Sequence, residues 1–235
     1  MNKWFIAIKR RGENLLDLSN LSIIPSPEGH YWADPFLADN LLFFEDYDYE
    51  KGVLAVGEWD GKELRNVRTI LEEEKHLSFP SVINLDGEWY MTPERCLAGQ
   101  LWIYKATQFP DIWEQFSLVA FGRYDDPILR QIEDGYEVWT SEDGDKLRVF
   151  ASRSLVGPWN LIRGRDEQYA RSAGHFIGDI RPCQDSVPEY GAGIVFKRED
   201  TVISRIGQTW YPNLTGTHTF NVSNKFVIID GRIKI

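Results

Sequence analysis

The chain has 235 residues, a formal net charge of −10 and 43% hydrophobic residues. That length holds one large β-domain with its own core, so a disordered chain is excluded as the default, and residues 1–235 are read as a single domain. The negative charge argues against a nucleic-acid partner, which needs clustered Lys and Arg.

In chain order, the first strand-like run is Trp4-Phe5-Ile6-Ala7-Ile8. It is too short for a signal-peptide core and meets Lys9-Arg10-Arg11 at once. No segment is long enough to cross a bilayer. Two cysteines, Cys96 and Cys183, do not make a disulfide framework, and a reducing, cytoplasmic setting is expected.

A repeat follows, in which a small or acidic residue, often before Pro, opens a strand–turn–strand unit. Unit one reads Ala33-Asp34-Pro35-Phe36-Leu37, then Leu41-Leu42-Phe43-Phe44-Glu45. Unit two reads Ser78-Phe79-Pro80-Ser81-Val82, then Trp89-Tyr90-Met91 after Asp86-Gly87. Unit three reads Asp125-Asp126-Pro127-Ile128-Leu129, then Tyr136-Glu137-Val138-Trp139 after Asp134-Gly135. Asp-Gly pairs between strand-like runs are hairpin signals. The three prolines stand 45 and 47 residues apart, and Thr219 in Thr217-His218-Thr219-Phe220 stands 92 beyond Pro127. That double interval places a further unit near residue 173, where Arg171-Ser172-Ala173-Gly174-His175 precedes Gly193-Ile194-Val195-Phe196. Five units of about 46 residues match propeller blades. The expected fold is all-β, a five-bladed β-propeller without helices. The fifth unit is short of strands, and pairing the N-terminal run with the C-terminal strand would close the ring.

In such a ring the first strand of each blade lines the axis. Equivalent positions then converge: Asp34, Ser78 or Ser81, Asp126, Ser172 and His218. Glu45 and Glu94 end the second strands of units one and two, and Arg181, Gln184 and Asp185 belong to unit four. Trp32 beside Asp34 is read as a pocket wall. Carboxylates with Arg, Gln and His suit sugar hydroxyls, and paired carboxylates suit acid–base work at an anomeric centre. No Cys-x-x-Cys, His-Glu-x-x-His, phosphate-loop or dinucleotide pattern occurs, and no metal or cofactor is expected.

The ordered set Trp32-Ala33-Asp34-Pro35-Phe36, Phe43-Phe44-Glu45, His76-Leu77-Ser78-Phe79-Pro80, Met91-Thr92-Pro93-Glu94, Gly157-Pro158-Trp159, Arg181-Pro182-Cys183-Gln184-Asp185 and Gly216-Thr217-His218-Thr219 resembles the glycoside hydrolase 43-like propellers. Among them it is similar to the N-terminal domain of plant glucosamine inositolphosphorylceramide transferase and its bacterial relatives. The resemblance implies a carbohydrate-active propeller whose blade-one Asp, here Asp34, is a general base. It implies a second Asp that tunes pKa, but Ser81 stands there, and the hydrolase acid has no clear match beyond Glu94 and Glu45. It also implies an axial calcium with a blade-five His nearby in many of the hydrolases, a part His218 matches; the expectation here remains no metal. The reading is of a glycosidase-like enzyme or sugar transferase in cell-surface glycan or glycolipid assembly. Asp34, Glu94 and Glu45 are its catalytic candidates. Trp32, Ser78, Asp126, Arg181, Gln184, Asp185 and His218 are its sugar-binding candidates. The alternative is a non-catalytic sugar-binding domain working with a separate glycosyltransferase, the arrangement implied by the plant relative.

Overall fold

In the computed structural model, which describes residues 2–234, five antiparallel sheets form a five-bladed β-propeller. The chain opens with β1 (Asn2–Arg10) and β2 (Ser22–Ile24). Blade one is β3 (Tyr31–Ala38), β4 (Leu41–Tyr47), β5 (Gly52–Trp59) and β6 (Leu64–Leu71). Blade two is β7 (Ser78–Leu85), β8 (Glu88–Glu94), β9 (Gln100–Gln108) and β10 (Ile112–Phe121). Blade three is β11 (Tyr124–Ile132), β12 (Gly135–Glu142), β13 (Lys146–Ser152) and β14 (Asn160–Asp166). Blade four holds β15 (Ile180–Asp185), β16 (Gly193–Arg198) and β17 (Thr201–Ile206). Blade five holds β18 (Leu214–Gly216), β19 (Phe220–Val222) and β20 (Phe226–Lys234). Among the described residues there is no α-helix, only a 3-10 turn at Cys96–Ala98.

The turns explain the hairpins. Asp86 (φ 53) and Gly87 (φ 88) both lie at positive φ between Leu85 and Glu88, as a two-residue β-turn requires. The blade-three hairpin sits one residue earlier than the Asp134-Gly135 signal suggests, because Ile132 pairs with Gly135 and leaves Glu133-Asp134 as the loop. Gly135 is instead needed for close approach: a Cβ there would lie 2.3 Å from the Ser152 carbonyl.

The unit placed by spacing near residue 173 supplies the inner rung of blade four. Ser172 bridges Cys183, Ala173 N–H donates to Pro182 O at 3.0 Å, and Gln184 N–H donates to Arg171 O at 2.9 Å. It does not continue as a strand. Gly174 (φ +141) turns the chain against blade five, where a Cβ would lie 2.2 Å from Phe220 O.

The ring closes through the chain's two ends. β1 pairs with β20 from Asn2↔Lys234 to Arg10↔Phe226, and β2 adds the outermost strand of blade five. Phe5 and Ala7 pack toward blade four, while Ile6 and Ile8 pack with Trp32 and Phe44 of blade one. Apolar clusters fill the gaps between blades, and the axis itself is plugged. Phe36 meets Phe79 and His175 edge-on at 4.9 and 5.1 Å, and His175 Nε2 lies 3.0 Å from Val82 O. Phe36, Phe79 and His175 therefore fill the ring's interior at this level.

Candidate functional site at the propeller axis

The inner strands of blades one to three share one irregularity. Each ladder skips register, between Ala33 and Phe36, Ser78 and Ser81, and Asp125 and Ile128. The residue before the proline is left-handed in each: Asp34 (φ 52), Phe79 (φ 50) and Asp126 (φ 46). A bulge re-aims a side chain out of the ladder, and positive φ costs a non-glycine residue about 1–2 kcal/mol. Asp34 and Asp126 are thereby held at the axis with 5% and 1% of their surface exposed.

One half of the site joins blades one and five. Asp34 Oδ1 accepts the Thr219 hydroxyl at 2.7 Å, and Asp34 Oδ2 accepts Phe79 N–H at 3.3 Å. His218 Nε2 lies 3.7 Å from Asp34, and its Nδ1 lies 2.5 Å from Asp230 Oδ2. Asp230 Oδ1 accepts the backbone N–H of both His218 and Thr219 at 2.9 Å. Burial works against charge on His218, but Asp230 and Asp34 outweigh it and hold the imidazole above its usual range. Trp4 stacks flat on the ring at 4.0 Å, and Tyr190 meets it edge-on at 5.2 Å. Burial also raises Asp34, opposed by His218.

The other half joins blades two, three and four. Arg171 donates to Asp126 and, at 3.1 Å, to Glu94 Oε2. Gln184 donates to Asp126 Oδ2 at 2.6 Å, and Asp126 N–H donates to Glu94 at 3.1 Å. Burial opposes ionisation of Glu94, yet Arg171 and the Asp126 contacts hold its carboxyl below the usual range. Glu45 is the opposite case. Burial, with Asp34 and Glu94 nearby, pushes it well above the usual range, and His76 Nε2 lies 3.4 Å from its carboxylate. Burial also pushes Asp126 well up despite Arg171. Ser78 stands opposite Glu94 in the ladder, at the edge of this half.

Asp34, Glu45, Glu94, Asp126, Gln184 and His218 thus share one electrostatic cluster. Three other residues singled out in the sequence are engaged elsewhere. Trp32 packs in the apolar seam between blades five and one. Arg181 donates to Glu167 and to the carbonyls of Ala170 and Tyr169 at 3.0 Å. Asp185 pairs with Arg205. Arg171, Thr219, Asp230 and Trp4 complete the cluster and were not singled out. Asp230 carried a readable signal, because Ile228-Ile229-Asp230 repeats the Phe43-Phe44-Glu45 pattern of an acid ending an apolar second strand.

Asp34, His218 and Asp230 offer ligand atoms within 4.8 Å of one another. Calcium takes six to eight oxygens. Here one of three donors is a ring nitrogen facing Asp230, and the carboxylate oxygens already accept Thr219, Phe79 and backbone N–H groups. The donor set reads as an imidazole held between two carboxylates and does not fit a calcium cage.

The fold is shared with carbohydrate-active propellers. An exo-β-1,3-galactanase from Clostridium thermocellum superposes with a TM-score of 0.53 at 13% identity, covering 83% of this chain and 51% of that one. Trypanosoma rangeli sialidase superposes at 0.50 with 11% identity, over 97% of this chain and 52% of that one. At sequence level, residues 22–199 match the family described as glucosamine inositolphosphorylceramide transferase 1, N-terminal, and the chain belongs to that family. The Arabidopsis thaliana transferase of that name is 30% identical over 195 residues, 70% of this chain. The Oryza sativa subsp. japonica protein is 30% identical over 187 residues, 69% of this chain. The aligned region is 25% of each relative's length.

Proposed function

We propose that the axial cluster binds a sugar and performs acid–base chemistry at a glycosidic bond, by hydrolysis or transfer, in glycan or glycolipid assembly. The observation that supports this most is the difference between two buried carboxyls: burial pushes Glu45 well above the usual range, whereas at Asp34 the His218 charge and the Thr219 hydroxyl oppose the rise. Carboxyls whose environments separate their pKa values can take acid and base roles in one pocket. Glu45 keeps its proton and serves as the acid. Asp34, oriented by Thr219 and His218, is the base that activates the incoming hydroxyl or water. Asp126, Gln184 and Arg171 orient sugar hydroxyls.

One observation favours a second reading, a sugar-binding domain that assists a separate glycosyltransferase. Glu94 is locked by Arg171, and Ser81 stands where the resemblance implies the Asp that tunes pKa. The family's transferases, of which this chain spans a quarter, are consistent with such an accessory role.

Assay of aryl glycosides and nucleotide-sugar donors separates the two. Asp34→Asn and Glu45→Gln are each expected to lower turnover by about 10²–10⁴-fold with an unchanged circular dichroism spectrum. Sugar binding without turnover of any substrate, unaffected by Glu45→Gln, would leave only the accessory reading.

A further inference from the structure

The seam between blades three and four is unlike the others. Its buried apolar cluster is Leu147, Val149 and Ala170, with Trp139 packed against it. Beside it opens a cavity of about 760 Å³, within the size range of small-ligand sites. Arg130, Trp139, Arg163 and Arg165 of blade three and Phe176 and Arg181 of blade four line it. It shares no lining residue with the axial cluster. Arg130 lies four residues down β11 from Asp126, about 13 Å of extended strand.

The charge in this seam is unbalanced at depth. The side chains of Arg181 and Lys197 are each 5% exposed, and both donate to one carboxylate, Glu167, itself 7% exposed. Burial opposes the charge on Glu167, but Arg181 and Lys197 hold it below its usual range. Arg165 also reaches Glu167, and its second partner is the exposed Asp200. Arg130 is matched by Glu137. Arg163 has no carboxylate partner among the described residues. The guanidinium groups of Arg130, Arg163 and Arg181 gather around the Trp139 ring at 5.0, 5.4 and 5.2 Å from its centroid. Of the other lining carboxylates, Asp179 pairs with Arg198 and Asp200 with Arg165, and Glu199 has no ion-pair partner among the described residues. The lining holds four arginines and four carboxylates; with their charged partners Lys197, Arg198 and Glu137 the seam has six cations and five carboxylates, an excess of one positive charge in a chain of net charge −10. Guanidinium forks match phosphate oxygens bidentately, and an anion there would complete the balance.

We propose that this groove is a second binding site, which takes a phosphate ester with its phosphate on the guanidinium groups around Trp139. The site is independent of the chemistry assigned to the axis. Calorimetric titration of the whole protein with glucose 1-phosphate, inorganic phosphate and glucose tests it. Glucose 1-phosphate and inorganic phosphate are expected to bind competitively and glucose not to bind at this groove, with affinity falling as salt is raised. Arg163→Glu changes an exposed side chain. It is expected to weaken glucose 1-phosphate by about tenfold or more with an unchanged melting temperature, the size expected for a charge-assisted contact. Asp34→Asn is expected to leave that affinity unchanged. Absence of phosphate binding, binding indifferent to Arg163→Glu, or binding abolished by Asp34→Asn overturns the proposal.

Discussion

Asp34 and His175 show how far single residues could be read. Asp34 stood out because an acid before Pro recurs at the blade period, and the bulge that holds it at φ 52 is the physical form of that signal. Arg181, Gln184 and Asp185 looked alike in sequence, yet an odd spacing puts neighbours on opposite faces of a strand. Gln184 reaches Asp126, whereas Arg181 and its ladder partner Lys197 lie against Glu167. That division depends on where β15 begins, which the sequence around Pro182 does not mark. His175 was visible only as part of a repeat unit, but its burial has a measurable consequence. Burial lowers its pKa from 6.5 to about 4, so between those values the unfolded chain binds a proton that the folded ring does not. Stability therefore falls as pH is lowered from 6.5 to about 4 and this contribution is constant below. The shift corresponds to about 3 kcal/mol. Urea midpoints at neutral and mildly acidic pH are expected to show this loss in the wild type and a smaller one in His175→Gln. His218 has the opposite sign: its raised pKa gives stability that is present below its ordinary value and is lost as pH rises through the folded one.

Strands were more legible than side chains because hydrophobic alternation and turn residues act locally. The exception is the inner element of blade four, which spacing located although no strand pattern exists there. Arg171 to Ala173 make only a few ladder bonds before Gly174 diverts the chain. β1 is the reverse case, a clear strand whose partner lies at the far end of the chain. Its two faces are buried, with Ile6, Ala7 and Ile8 at 0% exposure, so it is a central strand of blade five. Removing it would bare the edge of β20 and the apolar faces of blades four and one together. Deletion of residues 1–10 is expected to abolish soluble, folded protein. Ile6→Ala is the milder probe, expected to cost about 2–5 kcal/mol in urea unfolding, as for other buried large-to-small changes. A deletion protein with native stability would show that the closure is dispensable.

The axial cluster draws on every blade: Asp34 and Glu45, Glu94, Asp126, Arg171 and Gln184, then His218 and Asp230. Its members span the sequence from residue 4 to residue 230, so no blade holds the site alone. The three–four groove, by contrast, is built from two neighbouring blades. Ligands at the two places should therefore stabilise the molecule differently. A ligand that binds only the folded state adds RT ln(1 + [L]/Kd), about 2.7 kcal/mol at a hundredfold excess over Kd. For the axial site that increment applies to the opening of any blade, since each contributes a contact. Hydrogen exchange with the tightest-binding aryl glycoside is expected to slow amides in β4, β8, β11, β15 and β20 together. With glucose 1-phosphate, slowing beyond the global increment is expected in β12, β14 and β15 alone. If the glycoside protected only blades three and four, the two sites would be one, and the carboxylates at the axis would lose their assigned ligand.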